Sequence, residues 1–313
     1  MKIGDRKVLV TGGAGFIGSH LVDRLVKEGA EVVVVDNLRD GRRENLSSSI
    51  DEIEFREADV RDQEAIKEIV EEVETIFHLA ANANVPNSVE NPEYDFETNA
   101  GGTFNILRAS LDNDLDSIVF ASSAAVYGEP KYTPIDEEHP VQPISPYGGS
   151  KAAAENIGFS LHETYGVPFT TLRIFNSCGP RQDRYVMYDF LKKLDRNPEE
   201  LEVLGTGEQV RSFCHVKETA DAFVRAAERD TAGDVFNIGT DESITIAELA
   251  EKTVEICNLE DKTEIRCTGE SWEGDIKRLK PEISKAKREL GFEPSIGLET
   301  ILIDLKSYLE GGL

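Results

Sequence analysis

Tyr147 and Lys151 lie four residues apart, the spacing that puts two side chains on one face of a helix, and Ser122-Ser123 precede them. A phenol with an unperturbed pKa of about 10 is a weak base at neutral pH. An ammonium close to it favours the phenolate and lowers that pKa, so Tyr147 beside a lysine and an oxidised nicotinamide could deprotonate an alcohol. The expected chemistry is hydride transfer from the carbon that carries the hydroxyl.

Hydride needs an acceptor, and the N-terminal residues indicate one. Gly12-x-x-Gly15-x-x-Gly18 falls between a strand and a helix, where glycine allows a tight turn and brings backbone N–H groups to a pyrophosphate. Asp36 ends the next strand about twenty residues on, suited to the adenosine ribose hydroxyls. A carboxylate there repels a 2'-phosphate, so NAD is preferred, while Arg39, Arg42 and Arg43 nearby keep NADP open. A glycine turn that merely closes a βα unit is the plainer alternative; the serine, tyrosine and lysine together argue against it.

Short apolar runs alternate with helix-period segments over residues 7–121, the pattern of βαβ units on a parallel sheet. Strands are expected at 7–11, 31–36, 52–55, 74–79 and 117–121. Ile17, Leu21, Val22, Leu25 and Val26 make one helical stripe, and Ala65, Ile66, Ile69, Val70 and Val73 another. Ser145 as N-cap and Pro146 at the first helical position open the helix that carries Tyr147 and Lys151, and a further strand follows at 169–174. Beyond it, Gly, Pro and charge clusters near 176–184, 196–209 and 267–281 suggest an irregular second lobe. The expected fold is α/β: a Rossmann-type doubly wound parallel sheet with a smaller α/β C-terminal substrate lobe. The NAD-binding domain takes 1–178 plus about 212–240, and the substrate lobe about 179–211 and 241–313.

Composition excludes several classes. The 313 residues are 39% hydrophobic and 30% charged, and no apolar run approaches the roughly 20 residues of a membrane span. The N-terminus lacks the apolar region of a signal peptide, so a cytosolic protein is expected. Cys178, Cys214, Cys257 and Cys267 form no Cys-x-x-Cys, and His20, His78, His139, His162 and His215 lack ligand spacing, so no metal is expected. A net charge of -26 opposes nucleic acid and anionic lipid. The acidic excess, 60 residues against 34 basic, fits either a salt-rich cytosol or an ordinary acidic enzyme, which a salt titration of stability separates.

The segments Thr11 to His20, Asp36-Asn37, Asp59-Val60, His78 to Ala81, Asn99, Ser122 to Gly128, Tyr147 to Lys151, Arg173 to Pro180 and Arg211 to Val216 resemble the extended short-chain dehydrogenase/reductase superfamily. The likeness is to its NAD-dependent nucleotide-sugar epimerases and dehydratases, UDP-glucose 4-epimerases above all, and covers essentially the whole chain. It implies that Gly12, Gly15, Phe16, Ile17, Asp36 and Asn37 meet the cofactor, with Asp59 and Val60 at the adenine and Leu79, Ala80 and Ala81 along the dinucleotide. Asn99 would lie by the cofactor and help fix Lys151, which would hold the cofactor's ribose; Ser122 would also lie by the cofactor, and Phe175 would pack near the nicotinamide. On the substrate side, Asn176 would meet the sugar nucleotide, Glu202-Val203-Leu204 flank a uracil and Arg211 clamp the diphosphate. Trp272 stands where many relatives carry a second phosphate-binding arginine, leaving Asp275 and Arg278 for ribose and phosphate contacts. Leu279 falls at a position whose size governs tolerance of N-acetyl sugars in such enzymes.

The two residues after the catalytic serine narrow the reaction. Dehydratases of this superfamily place carboxyl groups there, and decarboxylases usually a glutamate; here Ala124 and Ala125 succeed Ser123 and can move no proton. A 4-epimerase needs only Ser123, Tyr147 and Lys151 with tightly bound NAD, so 4-epimerisation of a UDP-sugar is the expected activity. A dehydratase, decarboxylase or reductase of the same superfamily is the alternative enzyme, and a non-catalytic dinucleotide-binding regulator the alternative of another class. The resemblance also implies a homodimer through a four-helix bundle of helices near 93–112 and 146–165, the first with an apolar stripe of Phe96, Ala100, Phe104, Leu107 and Leu111.

Overall fold

In the computed structural model, which describes residues 2–270 and 276–311, the valine-rich runs of the first hundred residues form adjacent strands of a parallel sheet. The strands in chain order are β1 (Lys7–Thr11), β2 (Glu31–Asp36), β3 (Ile53–Glu57), β4 (Thr75–His78), β5 (Ser117–Ser123) and β6 (Phe169–Ile174). They continue with β7 (Ser177–Cys178), β8 (Glu200–Val203), β9 (Val210–Arg211), β10 (Cys214–His215), β11 (Val235–Ile238), β12 (Ile244–Thr245), β13 (Glu264–Cys267) and β14 (Arg278–Leu279). The helices are α1 (Phe16–Glu28), α2 (Gln63–Val70), α3 (Val85–Glu90), α4 (Pro92–Phe96), α5 (Gly102–Ser110), α6 (Pro146–Tyr165), α7 (Val186–Arg196), α8 (Val216–Ala227), α9 (Ile246–Ile256) and α10 (Leu298–Leu309).

Seven strands form the main sheet in the order β11-β6-β5-β4-β1-β2-β3, every neighbour parallel. Strand period two divides each strand between two faces. Val8, Val10, Val32 and Val34 pack with Leu21 and Leu25 of α1 and Phe223 of α8, while Leu9, Val33 and Val35 pack with Ile66 of α2 and Ile106 and Leu107 of α5. Helices therefore cover both faces, the doubly wound arrangement. Four of the six expected strands begin at the expected residue; β5 runs two residues further, to Ser123, so the sheet itself carries that hydroxyl to its edge. The short β11, outside the expected strands, pairs with β6 and extends the sheet.

Strand order reverses between β1 and β4, the switch point at whose C-terminal edge open α/β sheets bind ligands. The C-terminal residues supply smaller pieces: β8 with β13, the three strands β12-β9-β14, and helices α7, α9 and α10. Phe190, Leu194, Leu201, Val203, Leu249, Ile301 and Leu305 form their shared apolar core.

Candidate active site

The glycine turn after β1 is a close-packing device as well as a bend. Gly12 has φ 69°, and a Cβ there would come within 2.7 Å of the Ala80 nitrogen, so only glycine lets the loops after β1 and β4 touch. A Cβ on Gly18 would collide with the Gly12 carbonyl. Gly15 caps α1, and Phe16 and Ile17 form its first turn, an N-terminus aimed at the switch point.

Asp36 ties this turn to the loop after β2: its carboxylate accepts the Leu38 N–H at 2.8 Å and the Ala14 N–H at 3.0 Å. Burial pushes its carboxyl up. Asn37 donates to Asp59 at 2.8 Å, and the Arg61 guanidinium beside Asp59 holds that carboxyl at about 2. Val60 is buried against Gly102. The arginines that left NADP open are engaged elsewhere: Arg39 lies 3.7 Å from the Tyr94 ring centre, Arg42 pairs with Asp183 at 3.1 Å and Arg43 sits over Phe55 at 4.4 Å.

Leu79, Ala80 and Ala81 continue β4 into the same edge, where the Leu79 and Ala80 N–H groups donate to Thr11 at 3.1 and 3.2 Å. Beneath them His78 is wholly buried between Thr11 (2.7 Å) and Thr103 (3.0 Å), and desolvation, reinforced by Lys151, lowers its pKa from 6.5 to about 3. A folded-state pKa below the unfolded one means that the native chain binds fewer protons between those values, so this stability is full above pH 6.5 and is lost as pH falls towards 3. Urea titrations across that window should show a loss of about 5 kcal/mol from this group, and His78→Asn should flatten the slope.

Tyr147 and Lys151 enter from α6, whose start is set as expected: Ser145 accepts the Gly148 N–H at 3.2 Å and Pro146 takes the first helical position. Ser123, at the end of β5, accepts the Ala125 N–H at 3.2 Å, and its hydroxyl interacts with the Tyr147 phenol. The Ser123 hydroxyl and the Tyr147 phenol thus meet from β5 and α6. Their electrostatics differ from expectation. The Lys151 ammonium donates to the Ala121 carbonyl at 2.8 Å and lies 4.7 Å from the Phe120 ring centre. A buried ammonium needs an acceptor, and the backbone of β5 offers one within reach. Burial lowers the Lys151 pKa to about 8, opposed by Asp95 and Glu155, and burial raises that of Tyr147, with Ser123 and Arg184 pulling it down. Burial is the leading influence on the phenol's pKa, and the ammonium bonds to the β5 backbone, an acceptor that helix spacing does not specify.

Ser122 points inward, donating to Glu155 at 2.5 Å, so its side chain belongs to a buried network with Arg173 and Tyr127 rather than to a cofactor. Asn99 lies in a π-helical turn, Glu97–Gly101, and reaches Ser150 at 2.9 Å and the Asn82 N–H at 2.7 Å rather than Lys151 itself. The Asp95 carboxylate, buried, accepts from Asn82, Asn99 and Ser150 at 3.0, 3.1 and 2.6 Å. Sequence reasoning passed over Asp95, although its spacing of four from Asn99 places the two on one helix face. It also passed over Glu155, which completes a stripe at every fourth residue with Tyr147 and Lys151.

On the substrate side Phe175 is buried with Ala124, Val126 and Tyr127, and Leu279 packs against the same cluster. Asn176 donates to the Ser212 carbonyl at 2.9 Å. Arg211 lies in β9 beside Leu279 of β14, and Arg278 is exposed in that strand. Leu204 is exposed and the Glu202 carbonyl accepts from Lys193, but Val203 is fully buried in the C-terminal core, so its side chain cannot flank a base. Trp272 and Asp275 lie outside the described residues. Among the described residues no group of histidine, cysteine or acidic side chains could hold a metal ion, and no helix is long and apolar enough to cross a membrane.

The sequence matches the family described as GDP-mannose 4,6 dehydratase over residues 9–305. The chain belongs to that family. It falls with the extended short-chain nucleotide-sugar epimerases and dehydratases, as the motifs implied. A Methanocaldococcus jannaschii protein provisionally named UDP-glucose 4-epimerase is 40% identical over 303 residues, 93% of this chain and 94% of its own length. UDP-glucuronic acid decarboxylase 3 of Arabidopsis thaliana is 37% identical, covering 93% and 85%. Among solved structures, UDP-N-acetylglucosamine 4-epimerase from Methanobrevibacter ruminantium M1, in complex with UDP-N-acetylmuramic acid, superimposes with a TM-score of 0.92 at 34% identity over 100% of both chains. UDP-glucose 4-epimerase from Thermotoga maritima with UDP-glucose gives 0.90 at 36%, covering 97% of this chain and 99% of that one. The dTDP-glucose 4,6-dehydratase DesIV of Streptomyces venezuelae, with NAD and TYD bound, gives 0.90 at 28%, covering 97% of each. The family is NAD-dependent. The glycine turn that tolerates no Cβ and the diversion of the three arginines fit a dinucleotide without a 2'-phosphate.

Proposed function

We propose that the protein is an isomerase that interconverts the 4-epimers of a UDP-sugar, UDP-glucose and UDP-galactose or their N-acetylated forms, through a transient 4-keto sugar. NAD is the cofactor. One observation carries the choice among the family's reactions: the two residues after Ser123 are alanines, Ala124 buried in an apolar cluster, where dehydration and decarboxylation would need a carboxyl group. NAD, when bound, supplies the acceptor and donor of one hydride. The chain does the rest. Tyr147 takes the proton of the 4-hydroxyl, Ser123 bridges it, and buried Lys151 contributes positive charge at the base of the site. The nucleotide is held through Arg211, Arg278 and Asn176 while the sugar ring turns over. Incubating the NAD-loaded chain with UDP-, dTDP- and GDP-sugars, and identifying products by NMR, tests the reading: stoichiometric consumption of added NAD(P)H would make it a reductase, and loss of water or carbon dioxide a dehydratase or decarboxylase.

Leu279, beside the Phe175 cluster, limits the room for the sugar. Leu279→Tyr should lower kcat/KM for UDP-N-acetylglucosamine about tenfold relative to UDP-glucose, and Leu279→Ser should raise it, both read by steady-state assays. Two copies of the chain pair through α4, α5 and α6 in this reading. Of the apolar stripe, Phe96 and Phe104 are exposed, at 59% and 44%, and available to a second copy, whereas Ala100 and Leu107 are buried within the chain; light scattering tests the dimer.

A further inference from the structure

We propose that Tyr185 is a positioning residue that closes the substrate cleft over Tyr147 and holds the sugar while its 4-keto form turns over, an inference that rests on the reaction proposed above. Tyr185 precedes α7 with φ 73° and ψ 169°, a backbone conformation that a bulky side chain adopts only under strain. Such strain persists where the side chain's own contacts offset it. The Tyr185 hydroxyl donates to the Ala83 carbonyl at 2.7 Å, a bond across 102 residues that joins α7 to the loop after β4. That loop leads into α3, whose Ser88 hydroxyl accepts the Tyr147 N–H at 3.2 Å, so the bond connects α7 to the catalytic helix through a short chain of contacts.

The ring itself is half exposed although its hydroxyl is anchored, and the Arg184 guanidinium lies 5.7 Å from its centre. The link to Tyr147 is through the Ala83 loop and Ser88, and the Tyr147 phenol also interacts electrostatically with both Tyr185 and Arg184. An open aromatic face suits the C–H face of a pyranose, because apolar contact without directional bonds keeps the ring in place while letting it rotate. With the hydroxyl committed to Ala83, the ring contributes shape and Tyr147 the proton chemistry.

Tyr185→Phe removes the bond and keeps the ring; Tyr185→Gly removes both and relieves the backbone. In the NAD-loaded full chain, amide hydrogen exchange at residues 79–88 and 182–190 should quicken about fivefold in Tyr185→Phe, the loss of one net hydrogen bond. With the UDP-sugar that the wild type epimerises, KM should rise in Tyr185→Gly by about tenfold while the initial kcat, before reduced nicotinamide accumulates, changes little. Its nicotinamide should also become reduced during turnover: the C4 hydrogen stays on the nicotinamide as hydride, the hydroxyl proton passes through Tyr147 to solvent, and the keto sugar escapes. Unchanged exchange in Tyr185→Phe, or wild-type KM and nicotinamide oxidation state in Tyr185→Gly, would overturn the proposal. Should the wild type turn over no sugar nucleotide, the reaction fails first, and the exchange measurement still reads the bond.

Discussion

Tyr147→Phe should leave a folded chain that binds NAD as the wild type does, with turnover of the UDP-sugar lower by about 10³-fold, the usual yield of a positioned proton acceptor. The substitution removes the phenol's bond to Ser123 within the site itself, while the backbone N–H of residue 147 keeps its own bond to Ser88. Burial raises the phenol's pKa and Lys151 donates to the Ala121 carbonyl instead, so the polypeptide by itself holds Tyr147 protonated at neutral pH. In the proposed reaction Ser123 and Arg184 favour the phenolate, and NAD, when bound, would add the positive charge of its oxidised ring. Circular dichroism and NAD binding check the fold, and initial rates check the chemistry; a variant with a rate within about tenfold of wild type would place the proton acceptor elsewhere.

Glu155→Ala should cost about 3–5 kcal/mol of unfolding free energy, the penalty for leaving a buried charge without its partner. Its carboxylate accepts from Arg173 at 2.7 and 3.0 Å and from Ser122, and all three side chains are buried. Arg173 also donates to the Tyr127 hydroxyl at 3.0 Å, which in turn donates to Asn237 at 2.6 Å, so the broken pair sits inside a connected network spanning β5, β6, β11 and α6. Glu155 further raises the Lys151 pKa, and its removal should drop that pKa below about 8 and weaken the cation at the catalytic site. Urea unfolding measures the first effect. A loss under about 1 kcal/mol would mean that the guanidinium finds water or another acceptor.

The sheet was legible because its strands are short valine and isoleucine runs bounded by glycine and charge, and because the glycine turn and Asp36 fix the first βαβ unit. Tyr147 and Lys151 were legible as a pair through their spacing alone. Which acceptor the ammonium chooses was not, since Ala121 becomes its neighbour only when β5 and α6 pack, and a helix-face argument contains no such information. Asp95, Asn99 and Ser150 form their cage for the same reason: they come together across 55 residues of sequence. Four-residue β11 offered no period long enough to read, and the positive φ of Tyr185 is a backbone property that no residue type other than glycine announces. Val203 shows the limit of transferring a whole segment: alternate residues of β8 point opposite ways, so its neighbours Glu202 and Leu204 face out while it is buried.

In the proposed reaction one hydride leaves and returns to the same sugar carbon. Incubation of the NAD-loaded chain with UDP-glucose or UDP-galactose carrying deuterium at carbon 4, with products read by NMR, tests this most directly. The expected product is the 4-epimer with the deuterium retained at carbon 4, formed with no requirement for added nicotinamide and no net change in its oxidation state. A 4-keto-6-deoxy sugar, release of carbon dioxide from a uronic acid substrate, or deuterium lost stoichiometrically to added NAD would contradict it.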